Sequence, residues 1–170
     1  MNIRVFGAIL VILGCGSFGF MIAAAYRREE QVLQQLLSAL DYMQCELQYR
    51  LTPLPDLCRQ AAANHRGTVR TVFHLLAEEL EDQISPDVER CMNVALARLK
   101  DIPKLTREVM VMLGRSLGRF DLEGQLNGLE AARQACRRGL DELLKNKTVR
   151  LRSYQTLGLC AGAALAILFI

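Results

Sequence analysis

Two stretches without a charged side chain, one toward each end, limit what this sequence can become. Val5 to Ala25 is a run of 21 residues without Asp, Glu, Lys or Arg, and Ser153 to Ile170 is a second run of 18. About 20 apolar residues in a helix span the hydrocarbon of a bilayer. At about 1.5 Å per residue the second run covers roughly 27 Å, near that thickness. Both runs are expected to be membrane helices. A signal peptide is the rival reading of the first, because Ala23-Ala24-Ala25 resembles a cleavage site. A cleavable apolar region is shorter, about 7–15 residues, and Arg27-Arg28 directly after the site would be awkward to translocate. The expectation is an uncleaved N-terminal span over 1–26, a C-terminal span over 153–170, and a separate domain over 27–152.

Flanking charges orient this arrangement. Arg27, Arg28, Lys145, Lys147, Arg150 and Arg152 stand on the domain side, against Arg4 and the amino group on the other. Positive flanks stay cytoplasmic, so the domain is expected there too. Each run has small residues four apart, Gly19 with Ala23 and Gly158 with Gly162, a spacing that lets helices approach in lipid but is also ordinary for membrane helices.

The middle of the chain reads as helix throughout. Leu33, Leu36, Leu37, Leu40, Met43 and Leu47 recur at steps of three and four, so the first helix is expected to run unbroken to about Arg50. Thr52-Pro53 reads as a cap followed by proline at the first helical position, opening a short helix from Leu54 to Asn64 that Gly67 closes. Val69, Val72, Phe73, Leu76 and Leu80 form the next stripe. Ser85-Pro86 repeats the cap-plus-proline start for a helix with Val88, Met92, Ala95, Leu96 and Leu99 inside. Pro103 ends that helix and opens another with Val109, Met112, Leu113, Leu117 and Phe120. Asp121 is the expected cap of a last long helix, with Leu122, Leu126, Leu129, Cys136, Leu140 and Leu143 on one face. No segment alternates long enough to be a strand. The predicted fold is all-α: a bundle of about six helices, the first and last continuing into the membrane.

Catalytic chemistry finds no foothold. There is no phosphate-binding loop of the G-x-x-x-x-G-K-S/T type, no G-x-S-x-G elbow and no H-E-x-x-H. Six cysteines include no C-x-x-C pair, and His65 and His74 are too far apart to share a metal on one helix turn. The net charge of +3, without a concentrated basic face, excludes a nucleic-acid binder. No catalytic residue, cofactor or metal site is expected. The segment Leu113-Gly114-Arg115-Ser116-Leu117-Gly118-Arg119-Phe120-Asp121 stands out instead. A helical glycine costs about 1 kcal/mol relative to alanine. Gly114 and Gly118, four apart on one helix face, are therefore read as a place where another helix packs closely, against the alternative of a fraying helix end.

That segment, followed by Gln125, resembles the stage III sporulation protein AB family of endospore-forming bacteria. The matching features are Leu113-Gly114, Leu117-Gly118, Asp121 and Gln125, with a second stretch at Glu46-Leu47-Gln48-Tyr49 and Thr52-Pro53-Leu54. The likeness extends over the whole chain. The family is in turn similar to the inner-membrane platform proteins of type II secretion and type IV pilus machines, which carry tandem copies of a helical domain where this chain has one. The resemblance implies a non-enzymatic platform in the mother-cell membrane surrounding the forespore. It would be part of a channel or secretion-like complex with other sporulation membrane proteins. Its domain would engage a cytoplasmic secretion-type ATPase of the same operon and could self-associate into a homo-oligomer. The turns at 50–55 and 119–123 hold the two matching stretches and are expected at the end away from the membrane. Glu46, Gln48, Arg50, Arg119, Asp121, Glu123 and Gln125 are the candidate partner contacts. Two other readings stay open: a membrane-anchored sensor or regulatory bundle, and, were the N-terminus cleaved, a secreted module anchored by its tail.

Overall fold

The computed structural model describes the backbone of residues 3–82, 87–118 and 121–169, and the side chains of residues 24–82, 87–118 and 121–145. Its order is α1 (Ile3–Arg50), α2 (Leu54–Asn64), α3 (Gly67–Glu81), α4 (Val88–Ala97), α5 (Lys104–Ser116) and α6 (Leu122–Phe169). The described residues form an all-helical bundle without strands. The four prolines, Pro53, Pro55, Pro86 and Pro103, all lie between Arg50 and Lys104, so nothing interrupts the hydrogen-bond ladders of α1 and α6. Each of those two helices has 48 residues, about 72 Å of rise.

Two compact units result. Met1–Glu30 and Asp141–Ile170 make one; Gln31–Leu140 makes the other. The side chains of most of the two expected membrane runs lie outside the described residues. Among the described residues, no helix is long and apolar enough to cross a membrane.

The Gln31–Leu140 unit is built on the expected stripes. On α1, Leu33, Leu36, Leu40, Met43 and Leu47 are buried; on α3, Val69, Val72, Phe73, Leu76 and Leu80 are. Val88, Met92, Ala95 and Leu96 of α4, Val109, Met110 and Leu113 of α5, and Leu129, Ala132 and Cys136 of α6 complete the core. Polar ties join the first five helices in order, and α6 returns to α1. Tyr42 of α1 donates to Gln60 of α2 at 2.7 Å, and Arg59 of α2 pairs with Glu81 of α3. Glu79 of α3 pairs with Arg98 at the end of α4, and Glu89 of α4 takes Arg115 of α5 at 2.9 Å. The Cys136 thiol of α6 then reaches the Leu33 carbonyl of α1 at 3.3 Å, and Arg133 meets Asp41 at 2.9 Å. His65 is buried against α1, with Nδ1 donating to the Ala61 carbonyl at 2.7 Å and Nε2 facing the Ser38 hydroxyl at 3.3 Å.

Helix ends depart from expectation in instructive ways. Gly67 does not close α2 but opens α3, with φ of +60°. The cap of α4 is Asp87, which accepts from the Glu89 amide at 3.2 Å; Ser85-Pro86 lies outside the described residues. Helix α5 stops at Ser116, because Gly118 turns left-handed at φ +75°. Gly114 is thus inside the helix and Gly118 beyond it; Phe120 lies outside the described residues. Met112 and Leu122, assigned to buried stripes by spacing, are exposed.

Among the described cysteines, Cys45 is exposed, whereas Cys58, Cys91 and Cys136 are free thiols in the interior. Burial pushes the Cys58 thiol up to about 12 and that of Cys136 up to about 11, so both stay protonated and act as small apolar packing groups.

Candidate functional site

Helix α1 ends in a turn of three residues, and its geometry is unusual. Leu51 takes φ of +51°, the only non-glycine residue with positive φ among the described residues. A left-handed conformation costs a non-glycine residue roughly 1–2 kcal/mol. Thr52, preceding a proline, is biased toward extended backbone, so the sharp reversal falls on Leu51. Glu46 fastens this turn. Its largely buried carboxylate accepts the Thr52 hydroxyl at 3.3 Å and faces the Arg50 guanidinium at 3.5 Å. Thr52 therefore braces the turn and does not cap α2, whose N-cap position is Pro53 with no side-chain hydrogen bond.

Between α5 and α6 lies a second left-handed closure, made by glycine. A Cβ at Gly118 would stand 2.6 Å from Val88 Cγ2 and 3.7 Å from Leu54 Cδ2, so the backbone there sits against α4 and the start of α2. Three residues later Asp121 caps α6: its Oδ1 accepts the Gly124 amide at 3.0 Å. A negative side chain at that position also complements the helix dipole.

The two turns meet. Leu47, Leu51, Thr52, Leu54, Gly118, Asp121, Leu122 and Gln125 line one open groove of about 320 Å³. Two of its leucines stand exposed, Leu51 at 65% and Leu122 at 39%, and Tyr49 in the last turn of α1 is 76% accessible. The groove thus offers leucines on its walls with a carboxylate and an amide on one side, suited to an apolar segment carrying a few polar groups.

Of the seven candidate contact residues, Asp121 and Gln125 line the groove. Glu46 is committed to bracing the α1–α2 turn. Gln48, Arg50 and Glu123 are exposed near the same turns without lining it, and Arg119 lies outside the described residues. Sequence reasoning passed over Tyr49, Leu51 and Leu122. A signal for Tyr49 was present: it falls off the Met43–Leu47 stripe, so a helical register must turn it outward. Among the described residues, no three His, Cys, Asp or Glu side chains gather as a metal site.

The cap at Asp121 can be separated from any contact it makes. Asp121→Ala is expected to lower stability by about 1 kcal/mol, and Asp121→Asn, which keeps a capping oxygen, by a few tenths at most. Thermal melting of the three forms checks this; equal loss in both variants would mean that the charge, and not the cap, holds the helix start.

Comparison with known proteins returns one family. The family model described as stage III sporulation protein AB matches residues 4–170. The stage III sporulation protein AB of Bacillus subtilis (strain 168) is 23% identical over 171 residues, covering 99% of both chains. A solved structure of a stage III sporulation protein AB superposes with a TM-score of 0.64 at 21% identity, over 72% of this chain and 98% of that one. That structural likeness is one of fold.

Proposed function

Because the chain belongs to the stage III sporulation protein AB family, we propose that it is a non-enzymatic platform of a sporulation-specific channel or secretion-like complex between mother cell and forespore. In this reading α1 and α6 anchor it in the mother-cell membrane surrounding the forespore. Its helical unit faces the cytoplasm and engages a secretion-type ATPase through the groove at the two turns. The charge-free runs Val5–Ala25 and Ser153–Ile170 support the anchoring, and the basic residues at 27–28 and 145–152 support the orientation. Other membrane proteins of the complex, and further copies of this chain, would pack beside it.

Leu51 is the observation that carries the reading. An exposed leucine held left-handed is unfavourable twice over: its backbone is strained and its side chain stays in water. Neither feature serves the core, which is filled by Leu47 and Leu57 on either side. Strain kept at an exposed apolar tip is accounted for if the tip is an anchor for a partner.

Leu51→Gly separates the two roles. Glycine relieves the left-handed strain, so melting of the full chain is expected to stay level or rise, by about 0.5–1 kcal/mol. Capture of the ATPase by the purified full-length variant is expected to fall at least tenfold. Arg50→Glu, which removes the exposed cation facing the largely buried Glu46 and sets a like charge beside it, should lower melting slightly and weaken capture less. Capture at the native level by Leu51→Gly would place the contact elsewhere.

A further inference from the structure

The unit formed by Met1–Glu30 and Asp141–Ile170 carries an order of residues that occurs twice, in mirror image. Leaving its uncharged run, α1 passes through Tyr26, then Arg27 and Arg28, then Glu29 and Glu30. Helix α6 presents the same series reversed: Asp141 and Glu142, then Lys145, Lys147, Arg150 and Arg152, then Tyr154 within the start of the uncharged run. Arg27 and Arg28 are exposed, and so is Lys145. In both helices aromatic hydroxyl, cation and carboxylate follow one another away from the apolar segment.

We propose that Arg27, Arg28, Lys145, Lys147, Arg150 and Arg152 form a collar that binds the headgroups of anionic phospholipids. The proposal rests on the membrane reading above and adds the class of lipid. Tyrosine favours the boundary between hydrocarbon and water. Cations just beyond it lie at the depth of the phosphates, and each strengthens attachment to an anionic surface on the order of fivefold. The four carboxylates stand farther out in both helices, where repulsion from the same surface is weaker. Positive charge retained on one side explains topology, but it does not require the acids to follow the cations in this order on both helices.

Register distinguishes a lipid layer from a free phosphate ion. In the sequence, a helical period of 100° per residue gives Lys145 and Arg152 one register and Lys147 and Arg150 the opposite one. Cations on opposite sides of a helix suit headgroups surrounding it. They do not converge on one small anion.

The test uses the full chain in nonionic detergent micelles, with phosphatidylglycerol, phosphatidylcholine or inorganic phosphate titrated separately and melting followed by circular dichroism. Phosphatidylglycerol is expected to raise the melting temperature saturably, with most of the rise lost at high salt, and the other two to have little effect. Replacing Lys147, Arg150 and Arg152 together by Gln should weaken the apparent affinity for phosphatidylglycerol on the order of a hundredfold. As these residues flank the apolar run, retained helicity by circular dichroism establishes that the variant is folded. Equal shifts with phosphatidylglycerol and phosphatidylcholine would overturn the lipid assignment, and an equal shift with inorganic phosphate would reassign the cations to a soluble ion. Flotation with vesicles separates this failure from that of the underlying reading: a chain that floats with neutral and anionic vesicles yet shows no headgroup preference loses only the collar, whereas one that floats with neither loses both.

Discussion

Replacing Phe73 by alanine is expected to lower the stability of the Gln31–Leu140 unit by about 3–5 kcal/mol. Among the described residues Phe73 is the largest fully buried side chain. It lies on α3, which packs against both α2 and α4. Truncation removes a ring that no neighbour can replace, so the loss combines transfer of the ring to water with the cavity left behind. A unit of this size has only about 5–15 kcal/mol to lose. At roughly 4–8 °C per kcal/mol, melting should fall by more than about 10 °C, and amide exchange along α3 should accelerate. A fall of only a few degrees would mean that the core collapses onto the vacancy or is not close-packed at α3.

Gly128→Ala is expected to destabilise the same unit by about 1–3 kcal/mol, although helix propensity alone predicts a gain of about 1 kcal/mol. A Cβ at Gly128 would overlap Ser116 Cβ at the end of α5. That atom is fixed by its own backbone, so no change of rotamer relieves the overlap and the helices must move apart. Gly114→Ala belongs to the same class but is milder, since the new Cβ would meet Met92 Cβ at 2.8 Å. Gly139→Ala is expected to have the smallest effect, because its overlap is with the terminal methyl of Leu105, which can rotate away. Denaturant melts of the three variants, with Ser116→Gly combined with Gly128→Ala as the rescue, check the order. A stabilised Gly128→Ala protein would show that α5 and α6 do not approach closely.

Much of the bundle was legible because its helices are long and strongly periodic. Apart from Leu37, which is half-buried, the stripe from Leu33 to Leu47 and that from Val69 to Leu80 are buried as their spacing predicts. The three-four rhythm from Leu33 to Leu47 and from Leu122 to Leu143 foretold two long helices. Errors gathered at helix ends, where local spacing competes with tertiary demands. Thr52 has the look of a cap, but Glu46, six residues earlier, takes its hydroxyl. Leu122 keeps the spacing of a core residue, yet it stands in the first turn of α6 beside an open groove and remains exposed. The matching stretches fall at the two turns that line the groove, without revealing what those turns present. Emphasis fell on charges there, whereas the groove is walled by leucines, with Thr52, Asp121 and Gln125 as its polar members. Leu51 could not have been found by pattern, because a left-handed leucine is a property of the closed turn and leaves no trace in periodicity.

The central claim is that the groove between the α1–α2 and α5–α6 turns receives the ATPase. A photo-crosslinking residue placed in the full-length chain at Leu122 or at Gln125, both of which line the groove, tests it most directly, with the exposed α3 positions Arg70 and Thr71 as controls. Illumination of sporulating cells is expected to join the ATPase to the chain from both groove positions and from neither α3 position. Crosslinks from α3 alone, or none from the groove in cells that complete sporulation normally, would contradict the account.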